Sequence, residues 1–370
     1  MRGMTPSTII DRHAGGEESC DVLVVGLGPA GAVAAGEAGA RGARVIAIDR
    51  KAKAGVPVQC AELVPRMLGM DIAALAAASR QDITSMATFV EMAAPAIAPH
   101  FPGLMIDRAD FDASLVAKAE AHGAHCRFGV SLRGLNAAGS AVLSDGTSIA
   151  APVVIGADGP RSRVASAVGA SNSEIVETRQ ITVPLLQPFV STDIYLSAGI
   201  PGGYAWLFPK GDVANLGLGV AAEWRGALKR LLDDLHARLI EEGRVGREIM
   251  GHTGGAIPVG GMRSLVARLD ATTVLLAGDA AGLTNPITGA GIAAAVMSGR
   301  EAGRAAARLL GGESSAGDDY ADEMETLFGP SLERALARRR TLIAKYKSGQ
   351  VPNETDLKRG WIAFPEYWAA

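Results

Sequence analysis

The chain has few cysteines and histidines, and neither residue type is grouped. Its 370 residues include three cysteines, Cys20, Cys60 and Cys126, and none of them forms a CxxC pair. An odd number of widely spaced cysteines excludes a disulfide framework and a cysteine-rich metal site, and it suits the reducing cytoplasm. The six histidines are scattered without an HExxH motif. The sequence therefore predicts no metal centre and a cytoplasmic location.

The chain also lacks a surplus of one charge and a long apolar segment. The 36 basic residues face 39 acidic residues, which gives a net charge of −3. Without a basic surplus to release counterions from a polyphosphate, the chain is not expected to bind nucleic acid. No stretch offers the roughly 20 apolar residues that a membrane-spanning helix needs. Residues 1–19 contain acidic residues and no apolar block, so we interpret them as a disordered leader and not as a signal peptide.

Glycine and apolar residues, by contrast, are abundant. Glycine occurs 46 times and hydrophobic residues make up 48% of the chain, so a large core can form and wholesale disorder is excluded. At roughly 100–200 residues per domain, the length predicts two domains, or one large α/β unit with an inserted layer. The glycines lie in short clusters and not in a periodic array, which indicates tight backbone turns.

The first glycine cluster follows a buried strand and precedes a helix. Residues 20–26 (CDVLVVG) and 43–49 (ARVIAID) are continuous apolar runs typical of parallel strands, and GLGPAG (26–31) joins the first to a small-residue helix. In a GxGxxG run the first glycine allows the turn, the second admits a pyrophosphate, and the third lets helix and strand pack closely. Asp49 ends the second strand, where its carboxylate can accept hydrogen bonds from a ribose. The unit predicts a dinucleotide site, with a plain glycine turn as the alternative.

Two later segments indicate which dinucleotide is bound. VVIGADGPRSRVASAVG (153–169) resembles the second signature of FAD enzymes of the glutathione reductase type, as in flavoproteins similar to p-hydroxybenzoate hydroxylase. LLAGDAAGLTNPITGAGIAAA (275–295) resembles their third signature, in which the aspartate of Gly-Asp binds the ribityl chain or the pyrophosphate of FAD. Asp279 stands at that place here. The residues from Gly289 to Ile292 are expected to begin a helix whose N–H groups face the anionic edge of the flavin.

Four further motifs narrow the resemblance to the geranylgeranyl reductase family. PVQCAELVP (57–65) resembles the family segment Pro-Val-Arg-Cys-Gly-Glu, which lies beside the flavin ring. DRADFD (107–112) resembles the segment whose arginine reaches FAD. GYAWLFPKG (203–211) resembles a YxWxFPKG strand on the substrate side, and GAIPVGG (255–261) resembles a GG-x-IP segment. The resemblance extends from about residue 20 to residue 345 and implies a tightly but not covalently held FAD.

The resemblance and the glycine loop together imply a cofactor site assembled from distant segments. Each segment ends a predicted strand or begins a predicted helix, where backbone N–H groups and carboxylates are free to meet a ligand. The residues expected to contact FAD are Gly26, Gly28, Pro29, Ala30, Gly31, Asp49, Arg50, Cys60, Ala61, Leu63, Arg108, Asp158, Gly159, Gly278, Asp279, Pro286, Gly289, Gly291 and Ile292.

The resemblance also implies a catalytic cysteine. Cys60 lies in the flavin-side segment, where its thiol could donate a proton to a carbon that has received hydride. Glu62, two residues later, is expected to orient or recharge that thiol. A lone cysteine is otherwise a small buried hydrophobic residue, and this packing role is the alternative. Two neighbours depart from the family pattern, because Gln59 and Ala61 stand where the family has Arg and Gly.

Aromatic residues are scarce, at 5% of the chain, and three of them alternate in one predicted strand. Tyr204, Trp206 and Phe208 should therefore lie on the same face of that strand. We interpret this face, together with Pro209, as a hydrophobic substrate wall above the flavin. The alternative is an ordinary packing face of a sheet.

The C-terminal region combines basic and aromatic residues. A linker is predicted over 311–319 and a basic helix over 332–347. Such a helix is usually a solvated face, but it could also contact acidic lipid headgroups at a membrane surface or a partner protein. The last ten residues, WIAFPEYWAA, contain four of the seventeen aromatic residues.

Together the patterns predict a mixed α/β fold, with a Rossmann-type FAD-binding domain and an interleaved antiparallel-sheet substrate domain. The chain leaves the nucleotide-binding unit, builds the second sheet, and returns near residue 270. The predicted division is a leader at 1–19, an FAD-binding domain at 20–80, 107–170 and 266–312, a substrate domain at 81–106 and 171–265, and a C-terminal region at 313–370.

The function that this resemblance implies is transfer of hydride from reduced FAD to an unsaturated apolar substrate, such as an isoprenoid or another lipid. The chain has one GxGxxG run, so NAD(P)H or another donor such as ferredoxin would bind transiently at the flavin cleft. One alternative is an NAD(P)H-dependent aromatic hydroxylase, which shares the three FAD signatures. The other is a flavoprotein that delivers electrons to a partner redox enzyme, such as a radical or iron–sulfur system for lipid or lipoate assembly.

Overall fold

The computed structural model describes residues 17–66 and 72–369. Most of the predicted leader lies outside the described residues. Its last three residues differ from the expectation, because Glu17–Ser19 form an edge strand that pairs in parallel with Ser148–Ala150.

The strands and helices follow one another in a mixed order along the chain. The strands are β1 (Glu17–Ser19), β2 (Val22–Val25), β3 (Val45–Asp49), β4 (Leu63–Pro65), β5 (Ser79–Ile83), β6 (Ser85–Val90), β7 (Ala96–Ala98), β8 (Gly103–Ile106), β9 (His125–Phe128), β10 (Leu132–Leu135), β11 (Ser140–Leu143), β12 (Ser148–Ala150), β13 (Val153–Gly156), β14 (Ile175–Pro184), β15 (Ser191–Leu196), β16 (Ala205–Lys210), β17 (Val213–Ala221), β18 (Gly251–Thr253), β19 (Ala256–Pro258), β20 (Val266–Leu269) and β21 (Thr272–Leu276). The α-helices are α1 (Pro29–Gly39), α2 (Ile72–Ala78), α3 (Arg108–Ala121), α4 (Arg163–Ala167), α5 (Leu228–Glu241), α6 (Ile292–Leu310), α7 (Ala316–Lys347), α8 (Glu354–Arg359) and α9 (Pro365–Trp368). Two short 3-10 helices cover Ala222–Ala227 and Gly278–Ala281.

A six-stranded sheet forms the nucleotide-binding core. Its spatial order is β20-β21-β13-β2-β3-β9, and every neighbouring pair is parallel except β20 with β21. All residues of β2, β13 and β21 are buried, as expected for parallel strands that are covered on both faces by helices. The predicted doubly wound unit is confirmed, and the carboxyl ends of its strands carry the three FAD signatures.

A second, larger sheet stands beside the first and is almost entirely antiparallel. Its order is β18-β14-β17-β16-β15-β6-β7, with β19 also pairing with β14, and only β15 and β6 run parallel. One face packs against α5 through side chains such as Leu207, Leu216 and Leu232. The other face carries Trp206 and Phe208. The predicted mixed α/β class is confirmed, because the chain passes between this sheet and the parallel one several times.

Two small sheets complete the described part of the chain. One has the order β1-β12-β11-β10 and borders the nucleotide-binding core. The other has the order β4-β8-β5 and links the segment after Cys60 to the start of α3. This second small sheet positions the flavin-side segment, because β8 hydrogen-bonds to both of its neighbours.

Helices α1 and α6 pack against each other at very short range. A Cβ placed on Gly299 would lie 2.1 Å from the carbonyl oxygen of Ala30, and one on Gly303 would lie 2.5 Å from that of Ala34. The two backbones can approach this closely only because glycine has no side chain. The contact fixes the first FAD signature, at the start of α1, relative to the third signature, at the start of α6.

Helix α7 differs from the sequence prediction in both length and role. It begins at Ala316, inside the predicted linker, and continues through Pro330 to Lys347. Several of its basic side chains contact the protein, because Arg339 donates to the carbonyl of Gly202, Arg340 pairs with Glu174 and Lys345 pairs with Asp356. Arg334, Arg340 and Lys347 are nevertheless exposed, so the expectation of a solvated basic face holds for part of the helix. No helix within residues 17–66 and 72–369 combines the length and the apolar composition that crossing a bilayer requires.

Candidate active site

The glycine loop leaves open space at its second position only. A Cβ at Gly28 would meet no atom within 4 Å, and its φ of −73° suits any residue. A Cβ at Gly26 would lie 2.3 Å from Ala157 O, and one at Gly31 would lie 1.8 Å from Gly26 O. The outer two glycines are therefore required by packing, whereas Gly28 leaves room for a diphosphate at the amino end of α1, which no side chain caps. The loop fits the ADP half of FAD, with Pro29 and Ala30 forming the first turn of the helix.

Asp49 holds the loop from the neighbouring strand. One carboxylate oxygen accepts from the backbone N–H of Leu27 at 2.7 Å, and the other accepts from that of Lys51 at 2.8 Å. Each oxygen keeps a further lone pair, so contact with a ribose stays a prediction. Arg50 is exposed beside it.

The second signature shows a structural use for its aspartate. The Asp158 carboxylate accepts from the hydroxyl of Ser162 at 2.5 Å and from the N–H of Arg163 at 2.6 Å, so it caps α4. Burial raises the pKa of Asp158, although these hydrogen bonds act in the opposite direction. Both oxygens accept hydrogen bonds within the protein, but each keeps a further lone pair, so contact of Asp158 with FAD stays a prediction. Gly159 has a φ of +84° and open space beside it, so its backbone remains available for a ligand.

The third signature places a buried carboxylate at the start of α6. Asp279 accepts a hydrogen bond from the hydroxyl of Thr284 at 2.6 Å. Burial raises its pKa, while Thr284 and the nearby positive charge of Arg108 act to lower it. Gly291, the N-cap of α6, lies directly above this pair, because a Cβ there would approach Thr284 Oγ1 to 2.7 Å. The other predicted residues of this segment surround the aspartate in sequence: Gly278 and Pro286 are buried, Gly289 has a φ of +68°, and Ile292 is the first residue of α6.

Cys60 and Arg108 lie side by side at the meeting point of these segments. The Arg108 guanidinium forms a two-pronged pair with Asp112, at 3.0 and 3.1 Å. Burial alone would lower the pKa of Arg108, but the adjacent Cys60 sulfur and the Asp112 carboxylate outweigh it and raise the pKa above its usual range. The same guanidinium acts electrostatically on Asp279. The structure thus brings together the cysteine segment, the arginine of DRADFD and the Gly-Asp signature.

Glu62 is held away from a direct role at the thiol. Its carboxylate accepts from the N–H of Arg108 at 3.0 Å, the ammonium of Lys210 at 2.7 Å and the amide of Asn215 at 2.9 Å. The contact with Cys60 comes instead from the backbone, because the Glu62 N–H lies 3.1 Å from Sγ. This corrects the expectation that the carboxylate orients the thiol. Glu62 positions the cysteine segment, with Ala61 and Leu63 on either side of it.

The aromatic face of β16 is covered by the C-terminal segment. Tyr204, Trp206 and Phe208 do lie together, with ring centroids 5.7 and 6.1 Å apart. Trp361 packs on Tyr204 at 4.7 Å, and Phe364 belongs to the same cluster. Trp206 and Phe208 are buried, as is Pro209 after them, and Tyr204 donates a hydrogen bond to the carbonyl of Thr288. The face is therefore not an open wall, and contact between these residues and a substrate stays a prediction.

Sequence reasoning missed several polar residues that hold the site. Gln180 donates to the carbonyl of Cys60 and accepts from the Trp206 indole, and Asn215 donates to both Glu62 and the carbonyl of Ala61. Asn172 joins the second and third signatures by donating to the carbonyls of Pro160 and Asp279. The available signal was a polar residue inside an apolar strand, which applies to Asn215 in β17; β14 is rich in polar residues and gives no such signal for Gln180.

Comparisons with known proteins agree with this geometry. The FAD binding domain family matches residues 19–195, and the geranylgeranyl reductase catalytic domain family matches residues 187–256, which include β16 and β17. These matches bear out FAD as the cofactor and favour the reductase over the two alternatives, the hydroxylase and the electron-delivery flavoprotein.

Similar proteins span nearly the whole chain. Digeranylgeranylglycerophospholipid reductase 3 of Methanosphaera stadtmanae is 31% identical over 355 residues, which cover 87% of this chain and 86% of that protein. A digeranylgeranylglycerophospholipid reductase of Methanocella arvoryzae is 32% identical and covers 85% of each chain. The solved structure of a geranylgeranyl bacteriochlorophyll reductase-like protein from Thermoplasma acidophilum shares 25% identity, with a TM-score of 0.77 over 95% of this chain and 98% of that one. The chain is an FAD-dependent oxidoreductase and belongs to the geranylgeranyl reductase family.

Proposed function

We propose that this oxidoreductase saturates carbon–carbon double bonds in the isoprenoid chains of a lipid. The observation that carries the proposal is the adjacent placement of the Cys60 thiol and the Arg108 guanidinium, next to the Gly-Asp signature that we expect to contact FAD. The names of the relatives from Methanosphaera and Methanocella describe digeranylgeranylglycerophospholipid reductases, and they support this substrate class.

The residues around Cys60 suit proton delivery. Bound FAD supplies the hydride that the substrate carbon receives. The neighbouring carbon then needs a proton, and the Cys60 thiol can donate it. Loss of that proton leaves negative charge on Sγ, which the Arg108 guanidinium and the Glu62 N–H are placed to stabilise. Asp112 keeps the guanidinium in this position through its two-pronged pair.

The electron donor and the site of action are part of the same proposal. We infer that NAD(P)H or a reduced ferredoxin acts transiently at the flavin cleft, because the one GxGxxG run serves FAD. Three free cysteines suit the reducing cytoplasm, and a lipid substrate implies contact with a membrane surface. Anaerobic reduction of the bound flavin by NADH, NADPH and ferredoxin, compared side by side, identifies the donor.

The proposed reaction is tested in the oxidative half-reaction, in which the lipid reoxidises the reduced flavin. Protein loaded with FAD is reduced chemically without oxygen and mixed with digeranylgeranylglyceryl phospholipid, and the return of the oxidised flavin spectrum is followed. Wild-type protein should reoxidise and yield a saturated lipid by mass spectrometry. Cys60→Ser should slow reoxidation by about 10²–10⁴-fold, because the serine hydroxyl is a much weaker acid.

Cys126→Ser is the matched control, since this cysteine lies on β9 in the parallel sheet. It should reoxidise at the wild-type rate. If Cys60→Ser also reoxidises at that rate, the cysteine only packs beside the flavin. If no isoprenoid lipid reoxidises the wild-type protein, the substrate class is wrong.

A further inference from the structure

A cavity outside the flavin site is lined by basic side chains. It has a volume of about 570 Å³, within the range of small-molecule sites, and lies between β14, β18 and the amino end of α5. None of its described lining residues is acidic, and they include Arg179, Arg225, Lys229, His252, Thr253 and Gly254.

Two of the basic residues have no carboxylate to neutralise them. Within residues 17–66 and 72–369, neither Arg179 nor Arg225 makes an ion pair or a side-chain hydrogen bond. The acidic residues nearest to these two arginines along the chain are bound to other cations, since Glu177 pairs with Arg161 and Glu223 pairs with Lys347 at 3.8 Å. Lys229, which also lines the cavity, pairs with Asp233 at 2.6 Å.

The positive charge of the cavity comes from its side chains. Helix α5 continues directly from the 3-10 helix Ala222–Ala227, whose first turn contains Glu223, so no free helix end faces the cavity. Arginine fits phosphate oxygens in a two-pronged geometry that other cations do not match.

The cavity also borders the catalytic segment. Gln59 donates to the carbonyl of Gly254, and the hydroxyl of Thr253 donates to the carbonyl of Val58. Gly254 and Thr253 line the cavity, while Val58 and Gln59 immediately precede Cys60. A ligand anchored in the cavity would thus be attached next to the segment that carries the thiol.

We propose that this cavity binds the phosphate group of a phosphorylated ligand, through Arg179 and Arg225 with Lys229 and His252 beside them. The inference goes beyond lipid reduction, because it concerns binding and requires no turnover. Two sources supply the same chemistry, the 2′-phosphate of NADPH and the phosphate of a lipid headgroup.

The test uses inorganic pyrophosphate and FAD-loaded protein, so that the diphosphate site of the glycine loop is already filled. Calorimetric titration of the wild-type protein should show binding that weakens as salt rises. The double variant Arg179→Gln/Arg225→Gln should weaken it by about tenfold or more, since two charge-assisted contacts are lost. Arg225→Lys alone should keep part of the affinity. Unchanged FAD content and melting temperature show that the variants are folded.

Arg230→Gln is the matched control, because this arginine lies on the same helix, pairs with Asp234 and does not line the cavity. It should bind pyrophosphate as the wild type does. Absence of binding to the wild type, or equal affinity in the double variant, overturns the proposal. Two further measurements on the double variant identify the source of the phosphate, and either result supports the proposal. If the variant loses the preference for NADPH over NADH, the ligand is the 2′-phosphate of the donor. If it loses binding to short-chain phosphatidic acid, the ligand is the lipid headgroup.

Discussion

The backbone of Glu62 has a conformation that is rare for residues other than glycine. Its φ of +68° lies in the left-handed region, which costs on the order of 1 kcal/mol for a residue other than glycine. The conformation persists because Lys210, Asn215 and the N–H of Arg108 all donate to its carboxylate. The same backbone turn directs the Glu62 N–H at Cys60 Sγ. The ion pair therefore fixes the geometry of the cysteine segment.

Breaking this buried ion pair should be costly. In the pair of Lys210 and Glu62 the side chains are only 16% and 9% exposed, so Lys210→Met leaves a buried carboxylate with one neutral and one backbone donor. We expect the free energy of unfolding to fall by about 3–5 kcal/mol, measured by urea denaturation. The double variant Glu62→Gln/Lys210→Met should recover part of the loss, because no unpaired charge remains.

The exposed pair of Lys229 and Asp233 is the control for this comparison. Its nitrogen–oxygen distance is 2.6 Å, but its side chains are 70% and 56% exposed. Lys229→Met should cost no more than about 1 kcal/mol. Equal losses in Lys210→Met and Lys229→Met would contradict the role given to burial.

The ionised carboxylate of Asp279 should lower the stability of the folded protein and strengthen its binding of FAD. Burial raises the pKa of Asp279 in the folded state above the ordinary value of 3.8. At pH values between 3.8 and this raised pKa, the folded state keeps a proton that the unfolded state has lost. The stability of the wild type therefore falls as pH rises through this window. Asp279→Asn carries no titrating group, and its Oδ1 can still accept from Thr284. The stability of this variant relative to wild type should increase with pH from 3.8 upward and then level off, while its affinity for FAD falls.

The measurement is urea denaturation of FAD-free wild type and Asp279→Asn, from acid to neutral pH, together with titration by FAD. A stability difference that does not change with pH would show that the carboxylate titrates normally. Unchanged FAD affinity would show that Gly-Asp only ends the strand.

At the scale of elements, the C-terminal segment completes the second sheet. Its two ends are fixed to α7, where Lys345 pairs with Asp356 and Arg338 donates to the carbonyl of Tyr367. Between these contacts, Trp361 and Phe364 pack on the aromatic face of β16. The basic residues of α7 thus hold the covering segment in place, and the covering segment replaces solvent over the face that we predicted to be a substrate wall.

The two tryptophans of this segment should differ sharply in their effect. Trp361 is 2% exposed and Trp368 is 58% exposed. Trp361→Ala should lower the free energy of unfolding by about 3–5 kcal/mol, because it leaves a cavity against Tyr204. It should also increase binding of a fluorescent hydrophobic dye as the aromatic face opens.

Trp368→Ala removes mainly a contact with the guanidinium of Arg334, 5.2 Å from the ring centroid. Its cost should stay near 1 kcal/mol or below. Chemical denaturation of both variants gives the comparison. Similar losses would mean that the segment is not held through Trp361.

At the scale of the whole molecule, FAD should stabilise both sheets together. The candidate cofactor site combines the start of α1, the Cys60 segment, the start of α3 and the start of α6, which lie far apart in the chain. A ligand that binds only the folded state adds about 2.7 kcal/mol at a concentration 100 times its Kd. FAD-loaded protein should therefore melt at a higher temperature than the FAD-free protein.

Gly28→Val separates cofactor binding from folding. The position has open space and an unstrained φ, so the FAD-free variant should melt at the same temperature as FAD-free wild type. Added FAD should raise the melting temperature of the wild type and leave that of the variant unchanged. Gly299→Ala is the contrasting variant, since its Cβ would clash with the Ala30 carbonyl and should lower the melting temperature even without FAD. A rise with FAD in Gly28→Val would place the diphosphate elsewhere.

The sequence by itself determined the nucleotide-binding core and its dinucleotide site, and the resemblance of two later segments to FAD signatures identified the cofactor. Buried parallel strands appear as unbroken apolar runs, and the backbone positions that admit a diphosphate require glycine at fixed spacing. Both requirements act over a few neighbouring residues, so they are visible in the order of the amino acids. The alternation of Tyr204, Trp206 and Phe208 likewise predicted a shared face, because alternation in a strand is local.

Only the tertiary structure decided which distant residues contact those local features. Glu62 and Lys210 are separated by 148 positions, and the choice between a thiol and an ammonium as the partner of Glu62 depends on how β16 packs against the cysteine segment. The cover over the aromatic face likewise comes from Trp361, at the far end of the chain. Such contacts form between side chains that no short pattern connects, because packing selects partners by shape and charge in space and not by distance along the chain.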